Sequence, residues 1–140
     1  MVILFDQFNL PKDIFEVIFA TEQQSTVAHM LIDELKEHGL EMGKTEMSLF
    51  ANRLHEGVTV DVFEEGPLKI RPKKVNISYN KRQFYDRILT PMKSMGLIDY
   101  DLYKKTYKLS DKFYNEMLRI GIMWKQELQK AIHTLKIKKS

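Results

Sequence analysis

The chain has 140 residues, 44% hydrophobic and 29% charged, with a formal net charge of +3. That apolar content supplies a core for one domain plus an appendage. The absence of cysteine excludes disulfide frameworks, cysteine-based zinc sites and thiol nucleophiles. No stretch approaches the ~20 apolar residues that span a bilayer. The apolar start, MVILFDQF, lacks a basic flank and meets Asp6 at once, so it does not read as a signal peptide. A cytoplasmic protein without a membrane segment is the expectation.

The small net charge hides an asymmetry. Residues 1–66 hold 4 basic and 13 acidic side chains, a net of −9, whereas residues 67–140 hold 18 and 6, a net of +12. Between Lys69 and Lys93 there are eight basic residues, and only Asp86 is acidic. A basic half of this kind is the electrostatic footprint of a polyanion partner.

Taken in order, residues 1–8 are apolar and suit a short strand or a packed arm. Pro11 favours a helix start, with Ile14, Phe15, Ile18 and Phe19 on its buried side. Thr21 and Gln24 form a capping-box pattern that opens a second helix. In it Val27, Met30, Leu31, Glu34, Leu35 and His38 follow helical spacing, and Gly39 ends it. A protonated His38 would meet the negative helix end. A third helix is expected from Lys44 to Leu54, burying Met47, Phe50, Ala51 and Leu54.

From Gly57 the period changes to two. Val58, Val60 and Val62 alternate with Thr59, Asp61 and Phe63, and Glu64 to Pro67 reads as a turn. Leu68 and Ile70 resume the alternation, Pro72 is expected to stop that strand, and Val75, Ile77 and Tyr79 continue it. This predicts an inserted hairpin. Its Lys69, Arg71, Lys73 and Lys74 could reach a phosphate backbone, or could simply keep an edge strand solvated.

Asn80 is a good N-cap for the next helix. Phe84, Ile88, Met92 and Met95 form its apolar stripe; Arg82, Gln83, Asp86, Thr90 and Lys93 lie opposite, with Arg87 at the edge. Pro91 predicts a kink, or a fresh helix capped by Thr90. Gly96 supplies a left-handed stop. Ile98, Tyr100 and Leu102 then share one strand face, with Asp99, Asp101 and Tyr103 on the other. After Lys104 and Lys105, Tyr107 and Leu109 alternate with Thr106 and Lys108, which predicts a hairpin with a basic tip. Ser110 caps the last helix and Asp111 suits its positive end.

That helix is predicted from Asp111 to about Ile137. Phe113, Met117, Ile120 and Trp124, then Leu128, Ala131 and Leu135, make two heptad-like fragments with a stutter between them. At ~1.5 Å per residue it is roughly 40 Å long, more than one small domain needs. Its outer half, with Trp124, Leu128, Ala131 and Leu135, is expected to form a homodimer; the alternative is a fold-back across residues 11–20. Lys136, Lys138 and Lys139 make a basic tail.

Few constellations carry catalytic chemistry. Gly39 to Thr45 resembles a phosphate loop, but it has three residues between its glycines instead of four, and it follows a helix. His29, His38, His55 and His133 show no i, i+4 pairing, so no metal site is expected. Asp99 and Asp101 share a strand face without a third ligand. Neither an enzyme nor a cofactor is expected.

The order helix, MGLI, basic-tipped hairpin, YKLS, helix resembles the second half of a winged helix-turn-helix domain, best over residues 80–118. In that family the helix before the hairpin enters the major groove and the hairpin is the wing. About two dozen residues, His55 to Tyr79, separate the second and third helices here, where the family usually joins them tightly. The resemblance implies a mainly α fold with small β-hairpins (α+β). It would hold an N-terminal arm and helix (1–21), a DNA-binding domain (22–110) and a dimerisation helix with its tail (111–140). The reading helix would span about 81–95 and the wing about 97–109. Arg82, Gln83, Asp86 and Thr90 would face bases, since amide and guanidinium groups read base edges. Lys81, Arg87, Lys93, Lys104 and Lys105 would hold phosphates. Sequence-specific binding of double-stranded DNA by a dimeric transcription regulator is the expected function. The alternative is a winged-helix protein-interaction module in a larger assembly.

Overall fold

The computed structural model describes residues 5–65 and 70–139, apart from the side chains of 61–73 and 139. Most of the chain is helical, with two small antiparallel sheets, an α+β fold. The elements are α1 (Ile14–Ile18), α2 (Glu22–Glu37), β1 (Glu41–Gly43), α3 (Lys44–Glu56), β2 (Val58–Glu65) and β3 (Ile70–Ile77). A helical stretch follows, made of α4 (Lys81–Gln83), a π-helical turn (Phe84–Leu89) and α5 (Thr90–Met95). A second hairpin is made of β4 (Ile98–Asp101) and β5 (Thr106–Leu109), and α6 (Lys112–Lys139) is the last element. Among the described residues no helix is long and apolar enough to cross a membrane.

The caps explain where the helices begin. Thr21 Oγ1 accepts from the Gln24 amide at 3.1 Å, and Asn80 Oδ1 from the Gln83 amide at 3.1 Å, as expected. The first helix starts later than Pro11 suggested, because Asp13 caps it by accepting from Phe15 N–H at 3.0 Å. Residues 5–10 are exposed and form no strand, so the described part of the N-terminus is not a packed arm.

One core serves α1, α2, α3, the 81–95 stretch and the three-stranded sheet. Val27, Leu31, Leu35, Met47, Leu54, Phe84, Ile88 and Met92 are fully buried in it. Phe50 and Phe84 meet edge to face, centroids 5.5 Å apart. The sheet has the order β1-β5-β4. Its strand β1 was not anticipated: three residues are too few to show a period. Gly39 and Leu40, at φ 71° and 72°, turn the chain out of α2 so that Met42 pairs with Tyr107 and is buried.

The separate ribbon β2–β3 runs in continuous register from Val58↔Ile77 to Glu65↔Ile70. Pro72 does not stop it but pairs with Phe63; a two-stranded ribbon has free edges, which tolerate a missing amide donor. Glu64 and Glu65, expected in the turn, instead extend β2 and pair with Arg71 and Ile70; residues 66–69, and with them the rest of that turn and Lys69, lie outside the described residues. The two feet of the ribbon meet: Tyr79 N–H donates to Leu54 O at 2.8 Å and Ser78 Oγ to His55 O at 3.3 Å. The long connection therefore leaves and re-enters at one place, and α3 and Asn80 stay adjacent.

Thr90 does not cap a fresh helix at Pro91. Thr90 is helical (φ −60°, ψ −48°), and its amide donates to Tyr85 O, five residues back. The widened turn eases the contact of the proline ring with the carbonyl four residues before it. It also rotates the apolar stripe: Leu89 becomes fully buried, while Met95, expected inside, is 37% exposed.

Residues 114–138 of α6 are exposed, so the helix does not fold back over α1. Its root is fixed instead. Phe113 N–H donates to Gly96 O at 2.9 Å, Ser110 Oγ accepts from Lys112 N–H at 3.2 Å, and Lys112 Nζ meets Asp99 Oδ1 at 3.0 Å. Gly96 is left-handed at φ 87°, and a Cβ there would come within 2.9 Å of both Lys112 Cβ and Phe113 N. Gly96→Ala is therefore expected to cost about 1–3 kcal/mol and to lower the midpoint of thermal unfolding by several degrees, measured by circular dichroism.

Candidate nucleic-acid interface

The buried stripe of the 81–95 stretch fixes which residues face outward. Phe84, Ile88, Leu89 and Met92 hold the helix against the core. Arg82, Gln83, Asp86, Arg87 and Thr90 are left exposed on its far side. Arg82 Nε lies 3.8 Å from Asp86 Oδ2, with both side chains largely in solvent. An exposed i, i+4 pair is worth about 0.3–0.5 kcal/mol, less than a bidentate contact to a base, about 1–3 kcal/mol. Arg82 is thus free to exchange Asp86 for a stronger acceptor.

Two of the expected phosphate contacts are engaged within the chain. Lys81 is half-buried, its Nζ 3.3 Å from Ser48 Oγ on α3, and its amide donates to His55 Nδ1 at 3.2 Å. Lys93 Nζ lies 5.6 Å from the Tyr100 ring centroid and 5.9 Å from that of Tyr107. The two rings are 4.6 Å apart. This cation–π contact ties the helix to the hairpin. Burial, and then the neighbouring Tyr85 and Tyr100, push the Tyr107 hydroxyl above its ordinary pKa.

Lys104 and Lys105 are exposed at the hairpin tip. They sit beside Leu102, 77% exposed, and Tyr103, 99% exposed, which sequence reasoning placed on strand faces and did not select. The tip is built by Asp101. Its Oδ1 accepts from Tyr103 N–H at 2.9 Å and from Lys104 N–H at 3.1 Å, and Lys105 turns left-handed at φ 52°. The Lys104 and Tyr103 amides hold the Asp101 carboxyl below the usual carboxylate range. Asp99 is lowered as well, chiefly by the hydrogen bond from Lys112. Both carboxylates thus serve the hairpin and the root of α6.

Of the ribbon's lysines and arginine, Lys74 is exposed; Lys69 and the side chains of Arg71 and Lys73 lie outside the described residues. Trp124, Leu128, Ala131 and Leu135 are all exposed along α6. Elsewhere, α2 and α3 frame an open groove of about 540 Å³ lined by Glu34, His38, Glu46, Leu49, Asn52, Arg53 and Glu56. His38 Nε2 lies 3.3 Å from Glu34 and its Nδ1 3.6 Å from Glu46, while Arg53 pairs with Glu34. The cluster joins the two helices. Glu34, Glu46 and Glu56 give the groove an acidic lining, with Arg53 the basic side chain among them. Among the described residues, no group of three or more His, Asp and Glu side chains is placed to hold a metal ion.

No protein-family model, no curated protein and no solved structure matches the chain.

The hairpin tip has a pH signature. The Asp101 carboxylate accepts the two tip amides most strongly when ionised, so those bonds are at full strength above the ordinary carboxylate pKa and weaken as pH falls through the lowered value. The Tyr103 and Lys104 amide proton shifts are expected to titrate together, with a midpoint below the usual value of about 3.9. The transition should be missing in Asp101→Asn, as followed by NMR.

Proposed function

We propose that residues 22–110 form a winged helix-turn-helix domain that binds double-stranded DNA with sequence specificity, and that the chain acts as a dimeric transcription regulator in the cytoplasm. The observation that carries this reading is the outward face of the 81–95 stretch. It presents Arg82, Gln83, Arg87 and Thr90 beside a hairpin tipped by Lys104 and Lys105 and bound to the same helix through Lys93. Arginine and amide side chains on a helix suit major-groove base edges. Lysines on a projecting hairpin suit the flanking phosphates. The rooted ribbon removes the main objection from connection length, because its feet meet beside Asn80.

Lys81 and Lys93 take a second role in this reading. They set the helix against α3 and the wing against the helix, and any phosphate they touch is reached from those positions. The exposed stripe of α6 supplies the homodimer contact. No catalytic step and no cofactor is assigned.

Phosphate contacts give affinity without sequence information, whereas base contacts discriminate. Removing Lys104 and Lys105 together should weaken binding to all duplexes alike and flatten the slope of log K against log salt by up to about two units, near 0.9 per contact. Arg82→Ala should cost about 1–3 kcal/mol on a selected duplex and less on a scrambled one. Fluorescence anisotropy at several salt concentrations checks both. Equal losses on both duplexes would show that the helix does not read bases. Salt-insensitive or absent binding would favour the alternative reading, a docking module whose basic face meets an acidic protein.

A further inference from the structure

Along α6, Phe113, Met117, Ile120, Trp124, Leu128, Ala131 and Leu135 follow one another at spacings of four, three, four, four, three and four. The series reads the same from either end, with Trp124 at its middle. It makes two successive 11-residue repeats, Phe113 to Trp124 and Trp124 to Leu135. Such a repeat, 3.67 residues per turn, stays close to the natural 3.6 of a straight helix. The stripe is uncovered: Met117 is 37% exposed, Trp124 64% and Leu135 55%. A lone helix does not keep such a stripe in water without a partner surface.

We propose that a second copy of this chain lies antiparallel along the stripe, with the two-fold axis passing at Trp124. This rests on the homodimer proposed above and adds its polarity and register. Phe113 then meets Leu135 of the second copy, Met117 meets Ala131, Ile120 meets Leu128, and the two Trp124 side chains meet each other.

Three observations favour this direction and this centre. The first is the symmetry of the spacing, since an antiparallel pair brings residues at equal distances from Trp124 to one level. The second is charge. Residues 125–139 carry five basic and one acidic side chain, and residues 111–123 two of each. A parallel pair would set a net +4 beside an equal +4 along its outer half; the antiparallel pair sets it beside a neutral half, with Asp111 level with the second copy's Lys136 and Lys138. The third is Gly121. A glycine inside a helix costs about 1 kcal/mol relative to alanine, and a Cβ there would meet nothing within 4 Å in this chain. Its own chain gives it no reason. One turn from Trp124, it leaves room for the second copy's indole.

The register has a consequence for DNA. Lys112, where the domain joins α6, falls level with residue 136 of the second copy. The two roots are then 24 residues apart along the axis, about 36 Å at 1.5 Å per residue. Half-sites of dimeric helix-turn-helix proteins lie about 34–36 Å apart, one turn of DNA.

Cysteine cross-linking without DNA tests the pairing, because the chain has no cysteine of its own. Met117→Cys and Ala131→Cys chains carrying tags of different mass are produced together and mildly oxidised. Each is also oxidised alone, as is Trp124→Cys. All three sites are exposed on α6, away from the core. The expected result is a 117–131 linked heterodimer, at least several-fold more abundant than either homotypic product, together with efficient linking of Trp124→Cys to itself. Homotypic 117–117 and 131–131 products would show a parallel pair and overturn the proposal, as would no product in any sample from a chain that is monomeric by light scattering. Either failure leaves DNA reading untouched, and a failure to bind DNA leaves the cross-links untouched.

Discussion

Pro91 in the middle of a helix is the constraint from which the geometry of the exposed face follows. A proline cannot donate to the fourth residue back, and its ring crowds that residue's carbonyl. Thr90 is also pushed away from helical geometry by the proline after it. The chain remains helical because Ile88, Leu89 and Met92 are pinned in the core, and their burial, on the order of 2 kcal/mol each, outweighs the strain. The compromise is the π turn at Phe84–Leu89. It adds a residue to one turn, which draws Leu89 inward and turns Met95 outward. The arginine, amide and hydroxyl side chains on the far side keep their outward aim because the stripe behind them is fixed.

Around that helix, each neighbouring element meets it at a defined point. The aromatic contact between Phe50 and Phe84 sets α3 against it. The Tyr100 and Tyr107 rings hold Lys93 and so orient the hairpin. Gly96 lets α6 start almost in contact with the helix end. The ribbon β2–β3 adds residues without moving these parts, since closing a connection at one hairpin pair costs little more as it lengthens. The chain's charge is divided along its sequence, residues 1–66 carrying a net −9 and residues 67–140 a net +12.

The helices were legible in the sequence because caps and apolar spacing agree: Thr21 and Asn80 cap where expected, and Met47, Phe50, Ala51 and Leu54 are all buried. The hairpin showed itself by the change of period after Gly96. Several features could not be read in advance. Strand β1 owes its form to Tyr107, more than 60 residues away in the chain, and not to its own sequence. Pro72 looked like a stop because local rules carry no information on which edge of a ribbon is free. The π turn arises from a balance between a proline and three buried side chains. Among the candidate site residues, Arg82, Gln83, Asp86, Arg87 and Thr90 lie exposed together, and so do Lys104 and Lys105. Lys81 and Lys93 are engaged by Ser48 and by two tyrosines, contacts set by tertiary packing. Tyr103 escaped notice because strand alternation hides a residue that stands at a tip.

Amide shift mapping by NMR, with a random-sequence duplex titrated into the isotope-labelled protein at low salt, tests the central claim most directly. The expected result is a contiguous set of shifted amides at residues 82–90 and 102–105, with little change along α2 and around Glu34, His38 and Glu56. Shifts centred on the α2–α3 groove, or none at any duplex concentration, would contradict DNA reading by this helix and hairpin.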